Sequence, residues 1–501
     1  MNRPKSASQR NLSELANFLG IPGHDASNVK ISGVCSDSRY IENGDLFVAL
    51  PGERSHGVYY LQTAVERGAR AILTDQQGNE VASRVAPTLP RLVVSKPRSI
   101  CGVAASWYYG EPSRSMFVAG VTGTNGKTTT THLLNQIWSY AAYSSGLIGT
   151  IGIKIGNRQI PTSHTTPESD ELQRLLAMMR ESGARGVAME VSSHALVQER
   201  VKSIEFKAVA FTNLTQDHLD YHGTMENYYQ AKRSLFTHDY AEFAVVSIDS
   251  DYGKRLWDEI AIPKLSMSTH TKADWSFERL NQTANGFEFL IRGPEGISIE
   301  NSFNLIGQHN LENVLAAIAL SFRSGIDPLV ISAAIPTLIG APGRLERVEN
   351  EVTKSRGIKV LVDYAHTPDA VERVLSAVRS PQISRVIGVL GCGGERDVDK
   401  RPLMGRALNA GADIPIFTSD NPRSEDPQEI IDQMLSGLEM QKSAEIILER
   451  RSALQRAIDL AEKGDVVVVL GKGHETAQEI NGNKVPFNDF EELERALRER
   501  L

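Results

Sequence analysis

Gly123, Thr124, Asn125, Gly126, Lys127, Thr128 and Thr129 follow an apolar run and open an amphipathic one, a strand, glycine-loop, helix order. Such a loop turns backbone N–H groups onto phosphate oxygens, and the helix N-terminus adds its positive end. Lys127 would bridge the β- and γ-phosphates of a nucleotide, and the Thr128 hydroxyl would reach Mg²⁺. The loop is a shortened variant, because Val121 stands where the strict pattern has its first glycine. A metal beside phosphates needs acidic ligands, and Glu190 closes the apolar run GVAME. His218, in TQDHLDYH, lies near the end of the next apolar run. It is either a structural histidine or, with a phosphate loop upstream, a further metal ligand.

More polar groups recur just past apolar runs toward the C-terminus. They are His366, Glu395-Arg396-Asp397, Asp420-Asn421-Pro422-Arg423 and Lys472-Gly473-His474-Glu475. The runs KVLVD, RVIGVL, DIPIF, AEIIL and DVVVVL alternate with amphipathic helices such as TPDAVERVLSAV and RSALQRAIDLAEKG. That alternation predicts a doubly wound parallel sheet, whose ligands bind off the carboxyl ends of its strands. Several strands aiming polar groups at one rim is hard to explain by packing.

The positioning elements fall into three α/β units. GDLFVAL, ARAILTD and RLVVSK predict strands in residues 1–112, with helices ending at Gly68 and Gly110. Residues 113–345 carry the phosphate-loop sheet, with ENYYQAKRSLF and NLENVLAAIALSFRSG as helices. Residues 346–501 carry the C-terminal sheet. A length of 501 residues suits about three domains.

Hydrophobic residues are 41% and charged residues 23%, ordinary globular usage. The net charge of −7 argues against a general nucleic-acid binder. The 3 cysteines are too few and scattered for a disulfide framework or zinc site, so a reducing compartment is expected. The N-terminus has no apolar core for a signal peptide, and no run is long enough for a membrane span. The expectation is a soluble cytoplasmic protein, active as a monomer.

The chain resembles the ATP-dependent ligases that add amino acids to the peptide stem of bacterial cell-wall precursors. The resemblance rests on TGTNGKTTT, MEVSSHALVQER, FTNLTQDHLDYHG, GQHNLENVLAA, APGRLE, VDYAHTPDA, GCGGERDVDKRPLM, SDNPRSEDP and GKGHE, in the family's order. It implies a UDP-binding, a central ATPase and a Rossmann-like amino-acid-binding domain. It implies that Ser36, Ser38 and the Glu53-Arg54-Ser55 turn touch the UDP end of a UDP-muramoyl dipeptide. Thr165, Thr166, Ser192, Gln198 and Arg200 would hold the muramoyl-peptide part. Asn310 would contact the ATP nucleoside, Asp363 the ribose, and Arg344 the γ-phosphate. Lys232 would be a carbamate that ligates a second Mg²⁺ with His218. That is sensible chemistry, since CO₂ turns a cation into a two-oxygen anion suited to a hard metal.

Within that family the expected substrate is meso-diaminopimelate. Its distal carboxylate calls for a guanidinium fork, which Arg423 supplies. Arg396, Asp420, Asn421, Pro422, Gly471 and Glu475 would complete the site. An acceptor carboxylate would attack the γ-phosphate, and the resulting acyl phosphate would be captured by the diamino acid, with His366 as candidate base. The alternatives are the lysine-adding relative, a folylpolyglutamate synthase, or a phosphate-loop ATPase switch.

Overall fold

The computed structural model describes residues 3–21, 28–52, 55–162, 164–283, 286–379 and 383–500. Glu53 and Arg54 lie outside them. Three sheets, each between two apolar layers, organise the described chain.

The N-terminal sheet has four parallel strands, Gly33–Cys35, Asp45–Val48, Ala71–Thr74 and Arg91–Val93. The helix Pro97–Tyr109 then stops at Gly110, whose φ is 69°, a left-handed cap that glycine adopts without strain. The central sheet has eleven strands. Seven run parallel, and antiparallel additions close both edges: Gly152–Ile155 with Arg158–Ile160, and Phe287–Arg292 with Ser298–Phe303. The sequence reading contains neither addition, because those strands alternate with polar residues and lack the continuous apolar signal.

The C-terminal sheet runs in the order Glu346–Arg347, Lys359–Asp363, Val466–Leu470, Val386–Leu390, Ile414–Phe417, Glu445–Ile446. All pairings are parallel except the first, so the doubly wound expectation holds. The sheet has one strand more than the five expected, the short antiparallel Glu346–Arg347. Val466–Leu470 is buried throughout, which is why it reads as an unbroken apolar run.

One buried ion pair ties this sheet to the last helix. Arg450 and Asp489 are both fully buried and bidentate, at 2.8 and 2.7 Å, and Arg450 also donates to Leu470 O at 3.0 Å. The pair therefore braces the strand end that carries Gly471. Removing one partner strands a buried charge, so Asp489→Ala is expected to cost about 3–5 kcal/mol in chemical unfolding. An unfolding midpoint equal to that of the unmodified protein would contradict this.

Candidate active site

The phosphate loop lies where the central sheet reverses its winding. From Phe117–Thr122 the chain lays Ser145–Gly149 and Gly186–Glu190 on one side, then Ala208–Phe211 and Ala244–Ser247 on the other. Carboxyl ends at such a reversal open a crevice for a ligand. Gly126 takes φ 88°, and a Cβ there would fall 2.3 Å from Asn313 Oδ1, so only glycine fits. The next strand end holds the loop from below: Asn125 N donates to Asn213 Oδ1 at 2.9 Å and Thr212 Oγ1 to Asn125 O at 2.7 Å. Lys127 is half-buried among these groups, which lowers its pKa, and its Nζ donates to Gly123 O and Thr124 O, both at 2.9 Å.

Glu190 faces the same crevice. Its carboxylate accepts from Thr128 Oγ1 at 2.9 Å and from Thr150 N at 2.8 Å and Oγ1 at 3.1 Å. A cavity of about 250 Å³ joins Lys127, Thr128, Glu190 and His218 to Arg344, Asp363 and His366 from the C-terminal side. Arg344 Nη2 lies 3.5 Å from Thr128 Oγ1, its guanidinium stacks 4.6 Å from the Tyr364 ring, and its buried Nε has no hydrogen-bond partner. Asp363 is buried, and its two oxygens accept from Leu345 N and Ala365 N at 2.7 and 2.8 Å. It thereby fixes the backbone immediately after Arg344 and immediately after Tyr364.

A second cavity of about 600 Å³ shares Asn213, His309, Glu312 and Arg373 with the first. Together they make one continuous cleft beside the phosphate loop. Asn310 does not line it. Its Nδ2 donates to Ile306 O at 2.8 Å and its Oδ1 accepts from Asn313 at 3.1 Å. Glu312, on the same helix, does line it, and burial pushes its carboxyl up to about 7. The sequence reading passed over Glu312, although it lies two residues along in the same GQHNLEN motif.

Lys232 is buried behind the loop, its Nζ donating to Gly123 O at 2.8 Å and lying 4.6 Å from the Tyr228 ring centre. His218 is half exposed at the cavity and pairs with Asp217 at 3.3 Å. Among the described residues no three His, Cys, Asp or Glu side chains converge as a metal site. The Thr128 hydroxyl and Glu190 carboxylate nevertheless make an oxygen pair beside the phosphate loop. That suits a hard cation which takes its remaining ligands from phosphates and water.

The residues expected to hold a muramoyl peptide gather into one network leading to that pair. Thr166 Oγ1 donates to Glu190 O at 2.9 Å and accepts from Ser192 N at 3.1 Å. Arg200 donates to Thr166 O at 2.9 Å and to Gln198 Oε1 at 2.7 Å, and pairs with Glu168 at 3.1 Å. Thr165 Oγ1 lies 3.0 Å from Thr150 Oγ1 at the cavity wall. Farther out, Ser36 donates through N and Oγ to Asp170, both at 2.8 Å, and lines a cleft with Arg39, Arg174 and Lys484. Ser38 is buried in the following turn, and Ser55 is exposed.

The C-terminal rim groups converge as expected. Asn421 Nδ2 donates to Glu475 Oε2 at 2.7 Å, and a Cβ on Gly471 would fall 2.5 Å from Asp420 Oδ2. A Cβ on Gly394 would fall 2.0 Å from Pro422 O, so the GCGGERD and SDNPR turns are in close contact. Arg396 stands exposed on the first of these turns. Arg423 pairs with Glu479 at 3.3 Å and donates to Gly394 O, whereas Glu425 pairs with Arg401. Arg423 also takes φ 53°, held there by backbone bonds to Glu479 O and from Asn481 N. The hairpin Ala477–Ile480 with Asn483–Pro486, which the sequence reading lacks, supplies those partners. Tyr364 connects the two regions. Its ring is 5.1 Å from His474 and 4.6 Å from His366, while Arg344 covers its face.

A phosphate loop on one sheet, an arginine facing it from beside another, and a charged cluster on that second sheet suit a nucleotide-dependent enzyme. Residues 30–109, 121–321 and 343–473 match, respectively, the Mur ligase family catalytic domain, the Mur ligase middle domain, and the Mur ligase glutamate ligase domain. A Streptomyces coelicolor protein named UDP-N-acetylmuramoyl-L-alanyl-D-glutamate--2,6-diaminopimelate ligase is 42% identical over 99% of this chain and 98% of its own. An Aquifex aeolicus protein of the same name is 41% identical over 93% and 94%. A solved structure of a ligase of that name superposes with a TM-score of 0.69 at 31% identity, covering 98% of this chain and 99% of that one. The chain belongs to the Mur ligase family and is an ATP-dependent ligase. A Mycobacterium tuberculosis folylpolyglutamate synthase, at 17% identity and a TM-score of 0.60, shares the fold over 74% of the chain.

Proposed function

We propose that this ligase joins meso-2,6-diaminopimelate to UDP-N-acetylmuramoyl-L-alanyl-D-glutamate in peptidoglycan precursor synthesis, forming ADP and phosphate. The observation that carries the reading is the Tyr364 junction, where Arg344 of the phosphate cavity meets the turn bearing His474 and Glu475. Residues 1–112 take the UDP end, 113–345 the ATP, and 346–501 the amino acid. One chain supplies all three regions, as a cytoplasmic monomer requires. Among the described residues no helix is long and apolar enough to cross a membrane.

The D-glutamate side-chain carboxylate, brought to Thr165 and Glu190 by the Thr166–Arg200 network, attacks the γ-phosphate. Lys127 and Arg344 spread the charge that builds on the transferring group. Mg²⁺, held by Thr128 and Glu190, would supply further charge neutralisation there, with His218 and a modified Lys232 as candidates for a second ion. The acyl phosphate that results carries phosphate as leaving group. The amine of diaminopimelate adds to its carbonyl, and loss of phosphate from the tetrahedral adduct leaves the amide. His366 Nδ1 donates to Tyr364 O at 2.9 Å, which leaves Nε2 as acceptor, and burial keeps the ring neutral. It is therefore suited to take the amine's proton.

ADP release measured with the UDP-muramoyl dipeptide and meso-diaminopimelate, L-lysine, L-ornithine or L-glutamate tests the reading. Turnover should be selective for diaminopimelate. Equal turnover of L-lysine would favour the lysine-adding alternative, and ADP release without any amino acid would favour a switch.

Arg423→Ala removes a charge-assisted, forked contact, a class worth about 1.5–3 kcal/mol. The KM for diaminopimelate should rise roughly 10–100-fold while that for ATP stays put. Lysine at 423 should not restore it, since an ammonium lacks the fork.

A further inference from the structure

Lys472 does not line the phosphate cavity and has been given no role of its own above, yet it is fully buried at the centre of the C-terminal cluster. All three of its N–H donors are used: Asn421 Oδ1 at 3.1 Å, Glu475 Oε2 at 2.8 Å and Ala477 O at 2.8 Å. Asp420 Oδ1 lies 3.8 Å away, is buried, and has no hydrogen-bond partner. Three segments meet at this one ammonium, namely the turn after Phe417, the turn after Leu470, and the hairpin that holds Arg423.

The geometry has two chemical consequences. Because Lys472 and Glu479 N both point at Asn421 Oδ1, the Asn421 amide is fixed with its NH₂ toward Glu475. Glu475 Oε2 is then saturated by Lys472 and Asn421, which leaves Oε1 to face outward. The charge count also matters. Arg450 and Asp489 cancel as a pair, so Lys472 stands against two carboxylates, Asp420 and Glu475. Near neutral pH one negative charge is left over, shared by Glu475 and by Asp420, whose carboxyl burial raises to about 6. That is the complement of a ligand ammonium, while Arg423 across the cluster complements a ligand carboxylate.

We infer that Lys472 is a positioning residue for the amino-acid substrate, locking Asn421 and Glu475 in the orientation that receives its ammonium group and setting the site's net charge. The inference rests on the functional reading above in taking the C-terminal cluster as the amino-acid site. The groups facing Glu475 are Lys472 and His474 on its own turn, Asp420 and Asn421 from the strand end after Phe417, Tyr364 from the strand end after Asp363, and Arg450 from the helix behind. Burial alone would raise the Glu475 carboxyl, but Lys472 and Asn421 outweigh it and hold it below the ordinary carboxylate range. Loss of Lys472 therefore lets Glu475 protonate at higher pH.

The test is steady-state kinetics of K472M and K472R, with KM measured separately for ATP, the UDP-muramoyl dipeptide and meso-diaminopimelate, and with pH profiles. K472M should raise the diaminopimelate KM at least tenfold and leave the ATP KM within about twofold. The acid limb of kcat/KM for diaminopimelate should move to higher pH. K472R keeps the charge but not the three-way geometry, so it should recover the acid limb and only part of the KM. An unchanged diaminopimelate KM, or KM values that worsen together for all three substrates with the acid limb unmoved, overturns the inference. Should K472M fold poorly, the cycle K472R, E475Q and K472R/E475Q reads the same effect with one carboxylate removed. The lysine substitution should then cost at least fivefold less than in the native background, and equal cost overturns the inference. If the unmodified enzyme instead prefers another amino acid, the substrate assignment fails by itself. The lysine's role is then read in the KM of that amino acid.

Discussion

Lys127→Met is expected to lower kcat/KM for ATP by about 10²–10³-fold, the usual loss when one preorganised donor to a developing anion is removed. The side chain is half-buried at the turn from loop to helix, and its Nζ reaches Gly123 O and Thr124 O. It is thus held at the loop's mouth, on the same cavity as Arg344. Burial lowers its pKa, and Glu190 and Asp217 act in the opposite direction. Methionine matches the stem's length and packing, so the fold should survive and the loss should appear in chemistry. Single-turnover ADP formation with saturating nucleotide separates the two. A variant that binds ATP tenfold more weakly but turns it over at the native rate would mean Lys127 only anchors the nucleotide.

The sequence made the parallel cores legible because strands buried on both faces read as continuous apolar runs, as in Val466–Leu470 and Phe117–Thr122. It also located the rim, since the polar residues after those runs have no packing role. What stayed hidden were partners whose significance depends on tertiary approach. Asn213 and Glu312 are ordinary polar residues in the sequence and become cleft walls only because two elements far apart in the chain converge. Sequence proximity alone would pair Arg423 with its near neighbours Glu425 or Asp426. In the structure Glu425 is taken by Arg401 and Asp426 caps a helix, and Arg423 turns to Glu479, more than fifty residues along. The resemblance implies a nucleoside contact for Asn310, whereas its buried side chain bonds to Ile306 O just before its helix and to Asn313 within it. Spacing along a helix fixes which face a residue occupies but not which of two adjacent polar residues looks out.

The same architecture explains why one chain can order three substrates. The cavity beside the phosphate loop is walled by the central sheet on one side and by Arg344 and Tyr364 on the other. A Cβ on Gly343 would fall 2.1 Å from His474 N, so the Arg344 loop and the amino-acid turn are in direct contact. Any displacement of the turn by a bound diamino acid must be felt at Arg344. Closure around an acyl phosphate also excludes water, which would otherwise hydrolyse it.

Lys232→Ala is expected to reduce ADP formation by at least about two orders of magnitude, comparable with the loss of a group that acts directly on the transferring phosphoryl. Lys232 sits in a place where an ammonium is poorly tolerated. It is buried, it lies near Lys127, and both facts push its pKa well below the ordinary lysine range. Its visible contacts are one carbonyl, Gly123 O, and the face of Tyr228. A neutral amine can add to CO₂, forming an N–C bond and releasing one proton to give the carbamate that the family resemblance implies. Two roles then make different predictions for the same variant. If the carbamate oxygens serve the site, short carboxylic acids should partly restore Lys232→Ala, and the unmodified enzyme should lose activity in CO₂-depleted buffer and regain it with bicarbonate. If the amine merely braces the Gly123 carbonyl, neither acid nor bicarbonate will change the rate. Full activity of Lys232→Ala would remove the residue from the mechanism altogether.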